Sequence, residues 1–474
     1  MTATNKSSES AKADFHRIFE PLHEEHDYVV DEIEGALPEG LVGTMYRNGP
    51  GEREVGGAPL AHFLEGNGMI TSLRFDGKNA HYRNRYVRTP YFEQSRKNRG
   101  MTYRTAGTLI PGGPEANVGR EIAQEANTNV MRAGGHLLAL YGGAMPYDID
   151  PDTLETRGLW DADGVLGPDR PGFSAHPKID PRTGEFFNFS TTPLPKPMVH
   201  MYSIGPDGRG RRLASAEAPF AHWVHDFAIT ERNFVFALSP FQFNLERIMK
   251  GEASPTGSLE LKRELGSVFL IMPRDGGKPR ILQHDAFAYF HVTNAYEDGD
   301  DIVLDLSEFS VPFERANQAM FEFRTGNMDY FANIPVRYRI SKSGKITREQ
   351  QADFLSDWPQ LDWRYVGVKN RYSYHSTVTS ETGAGGLGKI DHQTGRVTQH
   401  LLPDGHITGE ASFVPASRTA AEDDGWLIFM AYEPRLHRSR VVVLDARNVE
   451  ADPVASVWLR HHQPFQFHGS FVGP

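Results

Sequence analysis

Forty-six glycines and 31 prolines cut this 474-residue chain into short apolar runs, and no other feature constrains its fold as strongly. Runs of that length, rich in β-branched and aromatic residues and closed by turn residues, read as strands. Clear examples are 136–141, 185–190, 233–238, 267–272, 301–306, 426–432 and 440–444. Gly205-Pro206-Asp207-Gly208, Asp180-Pro181-Arg182-Thr183-Gly184 and the segment 391–395 are turn sequences, in which Pro presets φ and Gly supplies φ > 0. Hairpin punctuation at intervals of about 10 to 25 residues predicts an all-β sandwich, barrel or propeller.

Composition narrows the function classes. Hydrophobic residues at 39% and aromatics at 11% supply a packed core. Nothing marks a linker, so residues 15–474 are read as one domain, preceded by a polar, Ser/Lys-rich tail, 1–14, expected to be disordered. That tail lacks the apolar core of a signal peptide, and no run approaches the roughly 20 apolar residues that span a bilayer. A cytoplasmic location is expected, with room for a peripheral membrane contact. A net charge of -11 without a basic run argues against nucleic acid as a partner. With no cysteine, there is no disulfide framework, and any transition-metal site must use His and carboxylates.

Of 20 histidines, four stand in distinctive contexts: His176 in Ala-His-Pro-Lys-Ile-Asp, His225 in Val-His-Asp-Phe-Ala-Ile-Thr, His291 in Phe-His-Val-Thr-Asn-Ala-Tyr-Glu and His468 in Phe-His-Gly-Ser-Phe. They are spread over about 290 residues, so no local ligand spacing announces a site. On residue chemistry alone, each reads more readily as a surface or packed imidazole than as a ligand. Asp226 offers His225 a core salt bridge, and a preceding Phe offers His291 and His468 aromatic packing.

Other segments carry further motifs in matching order and spacing. They are Gly43-Thr44-Met45-Tyr46-Arg47-Asn48-Gly49-Pro50-Gly51, His62-Phe63-Leu64-Glu65-Gly66-Asn67-Gly68-Met69, Ala126-Asn127-Thr128-Asn129, Asp152-Thr153-Leu154-Glu155-Thr156, Glu422-Asp423-Asp424-Gly425 and Leu459-Arg460-His461-His462. Together with the four histidines they resemble the carotenoid cleavage oxygenase family, most of all its bacterial apocarotenoid oxygenases. The resemblance implies a seven-bladed β-propeller, with a loop and helix cap over one face and iron on the propeller axis. No repeat of 40 to 50 residues is visible, so the blade count rests on the resemblance alone. Helical segments are expected at 317–323 and 347–355, in the cap or between blades.

The resemblance also implies site roles. His176, His225, His291 and His468 would ligate Fe(II), with coordination positions left for dioxygen and substrate. Three glutamates would orient ligand imidazoles. Glu410 matches one. Asp357 replaces the second, and its shorter arm is expected to need a backbone shift or a water to reach. Gly142 replaces the third, so one histidine should lack a carboxylate partner. Thr128 would sit near the open coordination position, and Tyr141 and Leu64 would line the oxygen and substrate channel. Phe287, Tyr289, Phe290 and the stretch 234–243 are candidates for apolar wall, although core packing explains them as well.

The implied activity is cleavage of a conjugated C=C bond of an apocarotenoid or carotenoid by O2, giving two carbonyl products. The alternatives are a stilbene- or phenylpropenoid-cleaving oxygenase of the same family, and a non-catalytic propeller that binds a lipophile. Phenolic substrates would need a polar anchor such as Tyr103, Lys369 or Tyr372. Gly383-Ala384-Gly385-Gly386-Leu387-Gly388 fits a dinucleotide fingerprint but leads into Lys389-Ile390-Asp391 instead of a helix, and reads as a flexible loop. Neither a serine-hydrolase elbow nor a phosphate loop is present. The oligomeric state is left open.

Overall fold

The turn at 205–208 joins Met198–Ile204 to Gly210–Glu217 in an antiparallel hairpin, the unit from which the whole chain is built. The computed structural model describes residues 14–97, 100–167, 172–379 and 385–473. The tail expected to be disordered lies, except for Asp14, outside the described residues. Phe15–Phe19 forms a 3-10 turn whose Phe15, Ile18 and Phe19 are buried.

Seven antiparallel sheets of four or more strands follow one another as propeller blades. Ring closure uses both ends of the chain. Gly469–Val472 pairs with Val42–Glu52 in the first blade, and Glu32–Gly35 pairs with Ala455–Trp458 in the seventh. The intervening blades begin at Asn129–Ala133, Lys178–Ile179, Ala228–Ile229, Tyr289–Asp298 and Leu355–Gln360. Successive side chains along a strand alternate between the two faces of the blade, and both faces are buried against neighbouring blades. Central strands such as Asn233–Leu238 and Ser267–Pro273 are therefore apolar throughout.

All seven predicted strand runs fall on observed strands, and each predicted turn joins two strands. The helix expected at 317–323 runs instead over Phe313–Phe321, started by Pro312 and packed through Phe313, Ala316, Ala319 and Met320. It belongs to the cap, where it joins an aromatic cluster with Phe63, Phe241, Phe290 and Phe331.

Two expectations are overturned. The segment 347–355 is not helical, because Ile346–Gln350 pairs with Asn333–Ile340 as the outer strand of the fifth blade. There the Gly344 turn and the waiting sheet edge outweigh the helix propensity of Arg, Glu and Gln. The glycine-rich stretch is no loop in its described part, since Gly385–Asp391 is a strand of the sixth blade; Gly383 and Ala384 lie outside the described residues. A Cβ on Gly385 would stand 2.6 Å from the Thr408 nitrogen, and one on Gly388 2.7 Å from the Phe354 ring. These glycines permit close packing between strands and blades.

Candidate metal centre

The inner edge of each blade delivers one residue to the axis. His468 stands just before Gly469–Val472, Thr128 before Asn129–Ala133, His176 before Lys178–Ile179 and His225 before Ala228–Ile229. His291 lies within Tyr289–Asp298, Asp357 within Leu355–Gln360, and Glu410 between the short strands Ile407–Thr408 and Ser412–Pro415. Propeller closure thus brings together residues that are hundreds of positions apart.

One potential ligand atom from each of the four histidines lies within 4.8 Å of all the others. His176 Nε2 and His225 Nε2 are 2.9 Å apart, and His225 Nε2 and His291 Nε2 are 3.3 Å apart. Burial, reinforced by the neighbouring imidazoles, holds His176 and His225 well below the ordinary histidine value. Burial also lowers His468, against the opposing pull of Glu410. For His291 burial is the largest single influence and acts downward, but the carboxylates of Asp357, Asp226 and Glu410 together outweigh it and the net shift is upward.

The outer nitrogens decide the tautomers. His291 Nδ1 donates to Asp357 Oδ1 at 2.8 Å, and His468 Nδ1 to Glu410 Oε1 at 2.9 Å. A carboxylate only accepts, so the ring proton is fixed on Nδ1 and the Nε2 lone pair points to the axis. The inward-facing lone pairs of His291 and His468 cannot hydrogen-bond to each other, and no carboxylate fixes the tautomer of His176 or His225 among the described residues. A divalent first-row cation is the partner that suits this donor set, and His176, His225, His291 and His468 are the residues able to hold it.

Asp357 reaches His291 directly, at a point where the backbone is irregular. At this point Trp358 and Pro359 form a bulge, because the pairing steps from Asp357 with Ser376 to Gln360 with Tyr374. Trp358 adopts φ 49°, and Asp357 Oδ1 also accepts the Trp358 N–H at 2.8 Å. Such bulges re-aim side chains, and this one serves the shorter carboxylate.

Glu410 is more elaborately held. Oε1 also accepts Gln360 Nε2 at 2.6 Å, while Oε2 takes Arg47 Nη1 and the Gly469 N–H at 3.2 Å. Burial pushes its carboxyl up, but His468, Arg47 and Gln360 together pull it below the usual value. Sequence reasoning missed Arg47 and Gln360 as partners. A lone arginine in the middle of a glycine-rich strand, whose one other charge is the terminal Glu52, was the available signal. Asp226 does form a core salt bridge, but with Lys178 at 2.9 Å and not with His225.

Beside the tetrad lies a cavity of about 330 Å³, lined by His176, His225, Thr128, Tyr141, Leu64 and Gly142 among others. Thr128 Oγ1 is engaged by Asn127 Oδ1 at 3.1 Å, so its hydroxyl is already partnered where it lines the cavity. Phe290 and Phe243 join the wall, whereas Phe287, Tyr289, Phe234 and Phe236 pack between blades. Tyr103, Lys369 and Tyr372 do not line it; Tyr103 donates to the Tyr91 carbonyl at 3.0 Å.

A family model described as retinal pigment epithelial membrane protein matches residues 19–473. The apocarotenoid-15,15'-oxygenase of Synechocystis is 31% identical over 492 residues, covering 100% of this chain and 99% of that protein. This chain belongs to the carotenoid cleavage oxygenase family. The isoeugenol monooxygenase of Pseudomonas nitroreducens is also 31% identical, covering 95% of this chain and 96% of that one. Among solved structures, cobalt-substituted Synechocystis ACO superposes with a TM-score of 0.91 at 30% identity, covering 98% of this chain and 99% of that chain.

For a carotenoid cleavage oxygenase, the residue at 142 is the clearest departure. Neither His176 nor His225 hydrogen-bonds to a carboxylate among the described residues, and a Cβ on Gly142 would meet nothing within 4 Å. The position therefore has room for a side chain beside the two histidines that share its cavity. Gly142→Glu is expected to tighten metal binding about tenfold, the lower end of what an outer carboxylate contributes. Chelator competition measures this, and unchanged or weaker binding would show that a carboxylate there orients neither imidazole.

Proposed function

We propose that this protein is a non-haem Fe(II) oxygenase that cleaves a conjugated carbon–carbon double bond of an apocarotenoid with dioxygen. The observation that carries the proposal is the convergence of four imidazoles, three buried and that of His225 half-buried, beside a mostly apolar cavity. When bound, ferrous iron supplies the oxygen-activating chemistry. The reaction balances without an external reductant: one C=C bond breaks, and two C=O bonds form from the two atoms of O2.

The chain's own residues position and exclude. His176, His225, His291 and His468 serve as ligands, and Asp357 and Glu410 hold two of them in one tautomer. Thr128, Tyr141 and Leu64 narrow the approach, while Phe290, packed 4.9 Å from His225, helps keep water out. No side chain is assigned as general acid or base. Residues 15–474 act as one domain, a reading supported by the pairing of both chain ends across the ring.

A compact aromatic alkene is the second reading, and cavity size favours it. Ligand pockets run from about 300 to 1,000 Å³, and this cavity lies near the lower bound. Among the described residues no helix is long and apolar enough to cross a membrane. Peripheral contact is supported by exposed Val118, Ile122, Leu245 and Met249, of which Ile122 also lines the cavity.

The test is to supply iron-reconstituted protein with an apocarotenal and a hydroxystilbene under isotopically labelled dioxygen, and to analyse the products by mass spectrometry. Labelled aldehyde from the polyene supports the first reading; labelled benzaldehydes transfer the enzyme to the second. No labelled carbonyl from either, with one equivalent of iron bound, overturns both.

A further inference from the structure

The cavity has one polar corner that the metal centre does not use. His62 is fully buried and lines it. Its Nδ1 accepts the Leu64 N–H at 3.3 Å, and burial pushes the ring down to about 3, so the imidazole is neutral and its proton sits on Nε2. Among the described residues Nε2 has no hydrogen bond of good geometry, the Asn317 side chain offering only a weak one. A buried donor left unpaired costs about 1–3 kcal/mol, so its retention at a cavity wall calls for a partner that enters.

The ring is held firmly. Its backbone N–H donates to Glu65 Oε2 at 2.8 Å, and Glu65 also accepts Thr105 Oγ1, the Gly107 N–H at 2.5 Å and the Thr108 N–H at 2.8 Å. Gly107 lets the imidazole lie close, since a Cβ there would stand 2.3 Å from His62 Cβ. Phe321 meets the ring edge to face at 4.6 Å.

Asn317, on the cap helix Phe313–Phe321, lines the same cavity, and its weak side-chain hydrogen bond with the ring opposes the downward pull of burial on His62. Its Nδ2 donates to the Thr256 carbonyl at 3.2 Å, which leaves Oδ1 as an acceptor. A donor and an acceptor therefore stand side by side. Leu64, Trp223, Phe243, Phe290 and Met320 make much of the remaining wall apolar. A carbonyl oxygen would satisfy the donor alone. A hydroxyl group satisfies both.

We propose that His62 Nε2–H and Asn317 Oδ1 bind the hydroxyl of an alkene alcohol or phenol and thereby orient its conjugated chain toward His176 and His225. Both are positioning residues that set specificity. The inference rests on the reading of this cavity as the substrate channel, and it narrows the substrate to one carrying a hydroxyl end group.

The test measures anaerobic dissociation constants of the iron-loaded protein for trans-4-hydroxystilbene against trans-stilbene, and for a polyene alcohol against its aldehyde and its parent hydrocarbon. Wild type is expected to prefer the hydroxylated member of at least one set by about tenfold, the value of one well-made hydrogen bond. The set that shows it identifies the source as phenol or polyene. His62→Phe and Asn317→Leu should each weaken the preference, and His62→Gln, which keeps an N–H at similar reach, should restore part of it. KM should rise for the hydroxylated substrate while kcat changes less.

Equal affinity of wild type for all members overturns the proposal, and that measurement needs no variant. Retention of the preference in His62→Phe, or equal loss of affinity for every member of a set, overturns it as well. Should His62→Phe not fold, the wild-type comparison and Asn317→Leu decide. A hydroxyl preference without any cleavage would sink the oxygenase reading and leave this one standing, and cleavage without preference would do the reverse.

Discussion

His468→Ala is expected to abolish stoichiometric iron binding and, with it, alkene cleavage. The loss should exceed the roughly 10- to 100-fold that removal of an outer-sphere partner costs, because an inner donor and its outer support disappear together. The substitution also leaves Glu410 Oε1 without its imidazole donor, although Gln360, Arg47 and Gly469 remain bonded to that carboxylate. The blade edges should therefore stay in place while the centre fails. Metal analysis after anaerobic reconstitution reads the first effect, and circular dichroism checks the second. One full equivalent of iron in a folded His468→Ala protein would remove this residue from the ligand set.

Glu410→Ala should combine the largest loss of stability with a loss of metal affinity. Arg47 is 2% exposed, and Glu410 neutralises it. Arg47 Nη2 also donates to the Glu410 carbonyl at 2.7 Å and to Ser412 Oγ at 2.9 Å, so the guanidinium stays in the core after the carboxylate is gone. A buried charge stripped of its partner destabilises by about 3–5 kcal/mol. His468 simultaneously loses the acceptor that fixes its tautomer, for a further 10- to 100-fold or so in iron affinity. Denaturant unfolding of the metal-free protein isolates the first term, and chelator competition the second. If the unfolding midpoint of Glu410→Ala matched wild type, the Arg47 pair would be structurally idle. The double change Arg47→Met with Glu410→Ala should recover part of the stability but none of the affinity.

Much of the blade structure was legible because it is local. A strand such as Asn233–Leu238 is specified by its apolar, aromatic run, and the hairpin at 205–208 by turn chemistry within four residues. The segment 347–355 misled for the same reason, since its local preference is helical and its actual partner, Asn333–Ile340, is a sheet edge. The glycines at 385–388 also misled. Their purpose is the proximity of Thr408, His400 and Phe354, none of which is adjacent in the chain.

The centre divides along the same line. Residue identity and context singled out His176, His225, His291 and His468, the match at Glu410 and the departure at Gly142, and a cysteine-free composition required nitrogen or oxygen donors for any metal. What the fold alone decided is how these groups meet. Seven blade edges converge on one axis, a bulge at Trp358 carries the short Asp357 arm to His291, and Arg47 crosses from the first blade to secure Glu410 in the seventh. His62 and Asn317 lie 255 positions apart (317 − 62), and nothing in either stretch announces that they meet. Local propensity acts over a few residues, whereas the convergence of donors, the desolvation that keeps imidazoles neutral and the pairing of buried charges exist only after ring closure has removed the water between blades.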